Sequence, residues 1–298
     1  MNLLEKTKEL CRLYDIKPAR SRGQNFLIQE DVYDRMAEQA DLQPDDVVLE
    51  VGPGLGFLTA RLAVRAKKVV AVEIDKKLVE VLKIGLVAKG IKNVEVINEN
   101  VLEIKIQPPL FPPYHGGGYK IAANLPYNIT SIFLRKFLSE IESKPELMVL
   151  MLQKEVAERI CAQAGKMSLL SVSVQFYAKP ELVAIVAKEN FWPKPEVDSA
   201  IVKIITNPPN PLNPPDPLYQ GGAAQGGKFE REFFQLVKFG FSAKRKMLKN
   251  NLAVGFRLET AEAAARIKQA GFNPKVRAQE LSVNDWLKLL PFFVESMV

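Results

Sequence analysis

Short runs of aliphatic and β-branched residues punctuate the first half of the chain, at 47–51, 69–73, 94–97, 120–123 and 147–152. Amphipathic stretches such as 57–64 and 76–87 lie between them. Apolar strands without in–out alternation, separated by segments of helical period, predict an open parallel sheet covered on both faces. Two further runs, 182–187 and 199–205, have no long helix between them and predict an antiparallel edge pair. Beyond Lys228 the apolar residues recur at helical spacing in 229–241, 243–252, 261–270 and 284–293. Gly271 stands where a helix C-cap belongs, and Ser282 with Asp285 matches a capping box.

Two segments interrupt the pattern. Residues 207–228 read NPPNPLNPPDPLYQGGAAQGGK, Pro-dense and then Gly-dense, a composition that sustains neither helix nor ladder. Residues 107–118, QPPLFPPYHGGG, have the same character on a smaller scale. The expected organisation is therefore an α/β domain over 1–206, a linker over 207–228 and a small all-α domain over 229–298.

Composition narrows the chemistry. With 298 residues, 47% hydrophobic and 25% charged, the chain can bury a real core. It has one histidine, His115, so a triad has one candidate base and a multi-histidine metal site is impossible. The two cysteines, Cys11 and Cys161, form neither a zinc knuckle nor a disulfide framework, which suits a reducing compartment. The first residues lack an apolar signal core, and no run reaches the roughly 18 apolar residues of a spanning helix, so a cytoplasmic, soluble protein is expected. A net charge of +7 hints at a polyanionic partner.

The strongest local motif is Glu50-Val51-Gly52-Pro53-Gly54-Leu55-Gly56, directly after the first strand and before a helix. Glycines there allow a tight turn and close approach of the backbone to a ligand. Glu73-Ile74-Asp75 ends the next strand, 17 to 19 positions after Gly56, where an acid can accept two hydrogen bonds from a ribose diol. The glycines run G-x-G-x-G rather than G-x-G-x-x-G, and no Walker lysine follows, so neither a dinucleotide nor a nucleoside triphosphate is indicated. The form is similar to the first motif of S-adenosylmethionine-dependent methyltransferases.

Asn124-Leu125-Pro126-Tyr127 follows the fourth strand, at the end where open sheets place their ligands. An exocyclic adenine amine is a poor nucleophile because its lone pair is delocalised into the ring. Acceptors on its hydrogens, here the Asn124 side-chain oxygen and the Pro126 carbonyl, favour a pyramidal nitrogen, and Tyr127 offers a face for stacking. In isolation, the same four residues also suit a plain strand-to-helix turn with a packed tyrosine.

Together the motifs resemble those of the rRNA adenine-N(6),N(6)-dimethyltransferases, and most closely the bacterial small-subunit KsgA/RsmA family. Besides the segments above, the likeness rests on Gly23-Gln24-Asn25-Phe26-Leu27, Gln153-Lys154-Glu155 and the run from Phe191 to Ser199. It continues in the second domain from Phe241 to Leu252 and from Arg277 to Ser282, so it covers nearly the whole chain.

The resemblance implies a Rossmann-like class I methyltransferase sheet with S-adenosyl-L-methionine as cofactor and no metal. Asn25, Leu27, Gly52, Gly54, Glu73, Asn100 and Asn124 would bind the cofactor. Asn124, the Pro126 carbonyl, Tyr127 and Phe191 would receive the target base, although Phe191 taken alone also reads as a core aromatic. At Asn100 the chain departs from the family's usual Asp, and cofactor binding is expected to survive with some loss. Gln153-Lys154-Glu155 is read as bracing the site or touching RNA, and His115 as an inert surface residue.

The expected substrate is 16S rRNA of the assembling 30S subunit, at two adjacent adenosines near the 3′ end, each dimethylated. A monomer without membrane attachment is expected. The basic clusters around Arg20 and Arg22, and at Lys244, Arg245 and Lys246, are read as phosphate contacts positioning the RNA backbone. Two rivals remain open, a large-subunit rRNA adenine methyltransferase of the resistance type and a non-catalytic RNA-binding assembly or transcription factor on the same fold, with a nicotinamide dehydrogenase a distant third.

Overall fold

The computed structural model describes residues 1–18, 24–104, 119–206 and 223–294. They form two compact units: residues 1–157 with 178–206, and residues 158–177 with 207–298. The chain therefore passes between units more often than the single expected boundary at 206 implies. Residues 158–177 go with the second unit because Met167, Val172 and Phe176 pack into its core.

The first unit holds a sheet of seven strands: β2 (Val47–Val51), β3 (Lys68–Val72), β4 (Val94–Ile97), β5 (Lys120–Asn124), β6 (Leu147–Gln153), β7 (Ala178–Val186) and β9 (Ser199–Thr206). Their order is β4-β3-β2-β5-β6-β9-β7. The first five are parallel; β9 runs antiparallel to β6, and β7 antiparallel to β9. The expected antiparallel pair is present, with β9 inserted and β7 left as the edge. Every residue of β2 is buried, which requires cover on both faces and explains the absence of alternation in VVLEV.

Helices α3 (Phe57–Ala63) and α4 (Lys76–Ala88) connect successive parallel strands, as the periodicity predicts. Among the elements not anticipated are α1 (Leu3–Leu13), α2 (Glu30–Gln39) and a two-stranded ladder in which β1 (Phe26–Leu27) pairs with β8 (Phe191–Trp192). Phe191 pairs with Leu27 and Trp192 with Phe26, joining positions about 165 apart in sequence.

Register decides where the site falls. Val51 of β2 pairs with Val72 of β3 on one side and with Ala123 of β5 on the other. The next residues, Gly52, Glu73 and Asn124, thus emerge side by side at the carboxyl edge. Between β2 and β5 the strand order also reverses direction, the place where open sheets open a crevice.

The second unit is helical. Its principal helices are α8 (Ala223–Gly240), α9 (Leu248–Phe256), α10 (Thr260–Gln269) and α11 (Val283–Leu289), around a core that includes Phe233, Leu252, Trp286 and Phe293. Gly271 has φ +89° and ends α10, and Ser282 and Asp285 close a reciprocal capping box at α11, both as expected. Two expectations fail. Helix α8 begins at Ala223, inside the segment read as linker, because only its Pro-rich part is incompatible with a helix. The basic segment expected to start a helix at residue 243 is instead a turn, and α9 begins at Leu248. The buried Asn251 imposes that turn: its Nδ2 donates to the Gly240 carbonyl at 2.6 Å and to the Ala243 carbonyl at 3.1 Å. No helix among the described residues is long and apolar enough to cross a membrane.

Candidate active site

A cavity of about 420 Å³ opens at the carboxyl edge of β2, β3 and β5, entirely within the first unit. Its floor is the glycine loop. Gly52 and Gly56 have φ +64° and +79°, a left-handed backbone that disfavours side chains. A Cβ on Gly56 would lie 2.5 Å from a Leu82 methyl of α4, so a side chain there would also displace Leu82.

Two carboxyl groups face this floor. Glu73 is 6% exposed; its Oε2 accepts from the Gly54 N–H at 3.2 Å and its Oε1 from the Asp75 N–H at 3.0 Å. Burial raises its pKa above the usual carboxylate value, and those N–H donors oppose the rise. Asp75 serves the helix instead, since its carboxyl accepts from the Lys77 N–H and caps α4. Of the two acids at the end of β3, Glu73 is therefore the one the cavity receives. Glu50 is 1% exposed, and its Oε2 has no hydrogen-bond partner among the described residues. Burial pushes its carboxyl up to about 8; the Thr59 hydroxyl beside it, outside hydrogen-bond geometry, opposes the shift and Glu73 adds to it.

On the opposite wall, Asn124 ends β5 and its Nδ2 donates to the Asn25 carbonyl at 3.4 Å. With the amide nitrogen so engaged, the oxygen is left to accept. Tyr127 opens a short 3₁₀ turn, Tyr127–Ile129, and its hydroxyl shares a 2.8 Å hydrogen bond with Ser199 of β9. Burial raises the phenol pKa, so the ring is neutral and anchored at its far end. Phe191, 3% exposed, belongs to the main core and lines the cavity as well, so the two readings of this residue are compatible.

Residues 17–294 match the ribosomal RNA adenine dimethylase family. This chain belongs to that family. A small-subunit rRNA methyltransferase A of Dehalococcoides mccartyi is 41% identical over 99% of this chain and 95% of its own length. Among solved structures, the 23S rRNA methyltransferase ErmE is 29% identical with TM-score 0.69, covering 90% of this chain and 99% of that one. A dimethyladenosine transferase of Plasmodium falciparum is 26% identical with TM-score 0.71, covering 92% and 98%. The fold is the Rossmann-like class I methyltransferase fold.

Within this family member, the cavity brings together Asn25, Gly52, Gly54, Glu73, Asn100, Asn124, and then Pro126, Tyr127 and Phe191. Leu27 is the exception among the expected cofactor contacts. It is wholly buried and does not line the cavity; in the short strand β1 its neighbour Phe26 takes that place. Arg20 and Arg22, like Gly23 and His115, lie outside the described residues. Lys244, Arg245 and Lys246 are exposed in the second unit, on the turn between α8 and α9. Gln153 ends β6, and Lys154 and Glu155 begin a helix, α6 (Lys154–Ile160).

Asn100 is more constrained than the sequence suggests. Its Oδ1 accepts from the Leu102 N–H at 3.0 Å and its Nδ2 donates to Glu103 Oε1 at 2.8 Å. An Asp here would set a second carboxylate against Glu103. Sequence reading also missed Glu50 as a wall residue. Its position two residues before Gly52, inside an otherwise apolar strand, was the available signal. No cluster of His, Cys, Asp and Glu suited to a metal ion occurs among the described residues.

Proposed function

We propose that this chain transfers methyl groups from S-adenosylmethionine to the exocyclic amines of adenosines in small-subunit rRNA. The target would be two adjacent adenosines near the 3′ end of 16S rRNA, each dimethylated during subunit assembly. The observation that carries the reading is the meeting of the glycine loop, Glu73 and the Asn124–Tyr127 motif on one cavity, in a chain of the rRNA adenine dimethylase family. The 41% relative named for the small subunit supports that substrate over the large-subunit rival.

The residues present fit the cofactor. The bare loop at Gly52 and Gly54 would lie under its methionine part, and the acceptor oxygens of Glu73 suit a ribose diol. The buried, unpartnered Glu50 Oε2 is a carboxyl oxygen that a cationic group would satisfy. Asn100 would meet the adenine. When bound, the cofactor supplies a methyl group already activated by its sulfonium.

What remains for the chain itself is to prepare the amine. The Asn124 oxygen and the Pro126 carbonyl accept the amine hydrogens and shift the nitrogen towards sp³, which localises its lone pair. Tyr127 and Phe191 hold the base, the first fixed by Ser199 and the second by the core. Transfer of the methyl group would break its bond to the sulfonium sulfur, leaving a neutral thioether and a cationic nitrogen whose acidic proton water can take without a histidine. Lys244, Arg245 and Lys246 would contact phosphates.

Labelled methyl transfer to small subunits lacking the modification tests this reading, with large subunits as the comparison. Incorporation into small subunits, abolished by Asn124→Ala, is the expected result. Incorporation into large subunits alone would establish the rival, and no incorporation would favour the non-catalytic one.

A further inference from the structure

The target-side motif runs without a break into an element that reaches back to the other end of the cavity. After the Tyr127–Ile129 turn come α5 (Thr130–Arg135) and a single π turn, Lys136–Glu140, closed by the Ile141 N–H on the Lys136 carbonyl at 3.1 Å. A π turn inserts one residue and re-aims the side chains at its start. Half-buried Lys136 uses that aim: its Nζ donates to the Leu102 carbonyl at 2.6 Å and to the Ile104 carbonyl at 3.1 Å.

Those carbonyls belong to a compact turn that Asn100 opens. The Glu103 and Ile104 N–H groups donate to the Asn100 carbonyl at 2.8 and 3.2 Å, and the Asn100 side chain bonds Leu102 and Glu103. Carbonyls at the end of such a turn lack partners within it, and their shared polarity favours a cation there. Asn100 and Val101, at the start of the turn, line the cavity. Lys136 itself does not reach it.

We propose that Lys136 is a positioning residue for the cofactor: it pins the Asn100–Ile104 turn to the segment following the target motif, so that Asn100 and Val101 present a fixed wall. The proposal rests on the reading of the cavity as a cofactor site. It makes one continuous segment, residues 124–140, responsible for both ends of the reaction: Asn124 and Tyr127 at the amine, Lys136 at the adenine end.

The test is calorimetric binding of S-adenosylhomocysteine together with steady-state methyl transfer, in wild type, Lys136→Met, Lys136→Arg and Asn100→Ala. Lys136→Met should weaken binding and raise the cofactor KM by roughly tenfold while leaving kcat within about twofold. Lys136→Arg, which keeps a donor of similar reach, should recover most of the loss. Adding Lys136→Met to Asn100→Ala should cost little more than Asn100→Ala alone, because both act through one turn.

Unchanged binding by Lys136→Met, or full additivity with Asn100→Ala, overturns the proposal while the cofactor reading stands. A fall in kcat with KM unchanged points to a merely structural role and also overturns it. Failure of the wild type to bind S-adenosylhomocysteine would instead remove the cofactor reading, and this proposal with it.

Discussion

Replacing Glu50 by Gln removes an ionisable group from the most deeply buried polar position on the cavity wall while keeping its shape. The Glu50 carboxyl has an ordinary value of 4.5 and is pushed up to about 8 by burial. Between those values the unfolded chain has lost the proton and the folded chain keeps it. Folding must then take up a proton, and becomes harder as pH rises. The contribution of this group is thus most favourable below pH 4.5, is eroded as pH climbs towards 8, and is level beyond. Linkage puts the loss at about 1 kcal/mol at pH 5 and about 4 kcal/mol at pH 8, a slope of roughly 3 kcal/mol across the interval. For a unit of this size that corresponds to a Tm difference on the order of 6–12 °C. Urea or thermal unfolding of the unliganded protein at several pH values, for wild type and Glu50→Gln, measures it. The variant should be the more stable at pH 8, with the advantage shrinking towards pH 5. Glu73, also raised, leaves a residual slope of the same sign in both proteins. A stability difference that stays constant from pH 5 to 8 would refute a neutral, buried Glu50.

Particular contacts yield two more predictions. Because Asn100 donates to Glu103 at 2.8 Å, Asn100→Asp alone should change S-adenosylhomocysteine affinity by less than about threefold, while Asn100→Asp with Glu103→Gln should tighten it by roughly tenfold. Full tightening by the single substitution in calorimetry would contradict that coupling. Lys244→Glu with Arg245→Glu should weaken RNA binding, lower the log–log salt slope by roughly 1 to 2, and leave S-adenosylhomocysteine affinity unchanged. An unaltered slope across a salt titration would remove these residues from the RNA contact.

What the sequence made legible is what repeats locally. The sheet could be read because its central strands are buried on both faces and so are largely apolar runs; residues 47–51 match their strand end for end, as do residues 94–97 of the partly exposed edge strand β4. Helix α1 escaped because its buried stripe is Leu3, Thr7 and Cys11, of which only one is a strongly apolar aliphatic residue. Its Asn2–Glu5 capping box was the signal that remained. The β1–β8 ladder, two residues on each side, is too short to carry any period. The turn at 243–247 was misread as helix because its spacing is helical; the deciding bonds come from Asn251, several residues further on.

The same distinction runs through the site. Its motif residues were visible because each sits where a strand ends, and strand ends are local features of the sequence. Their coming together is a property of register: Val51 pairing with both Val72 and Ala123 aligns three ends that are far apart in the chain. What holds the motif residues in place is not local at all. Ser199 fixes Tyr127 from 72 positions away, Asn25 meets Asn124 from 99, and Lys136 grips the Asn100 turn from 34. Asn25 and Ser199 stand in segments the sequence marks out and Lys136 does not, yet nothing in the chain says which residue each will hold, so only the fold reveals the pairings. This division also accounts for the single histidine. In the proposed reaction the leaving group is already activated, so the protein needs fixed acceptors and fixed rings rather than a titrating base. A sequence can supply those with an asparagine, a backbone carbonyl and two aromatics, provided distant residues lock each of them in position.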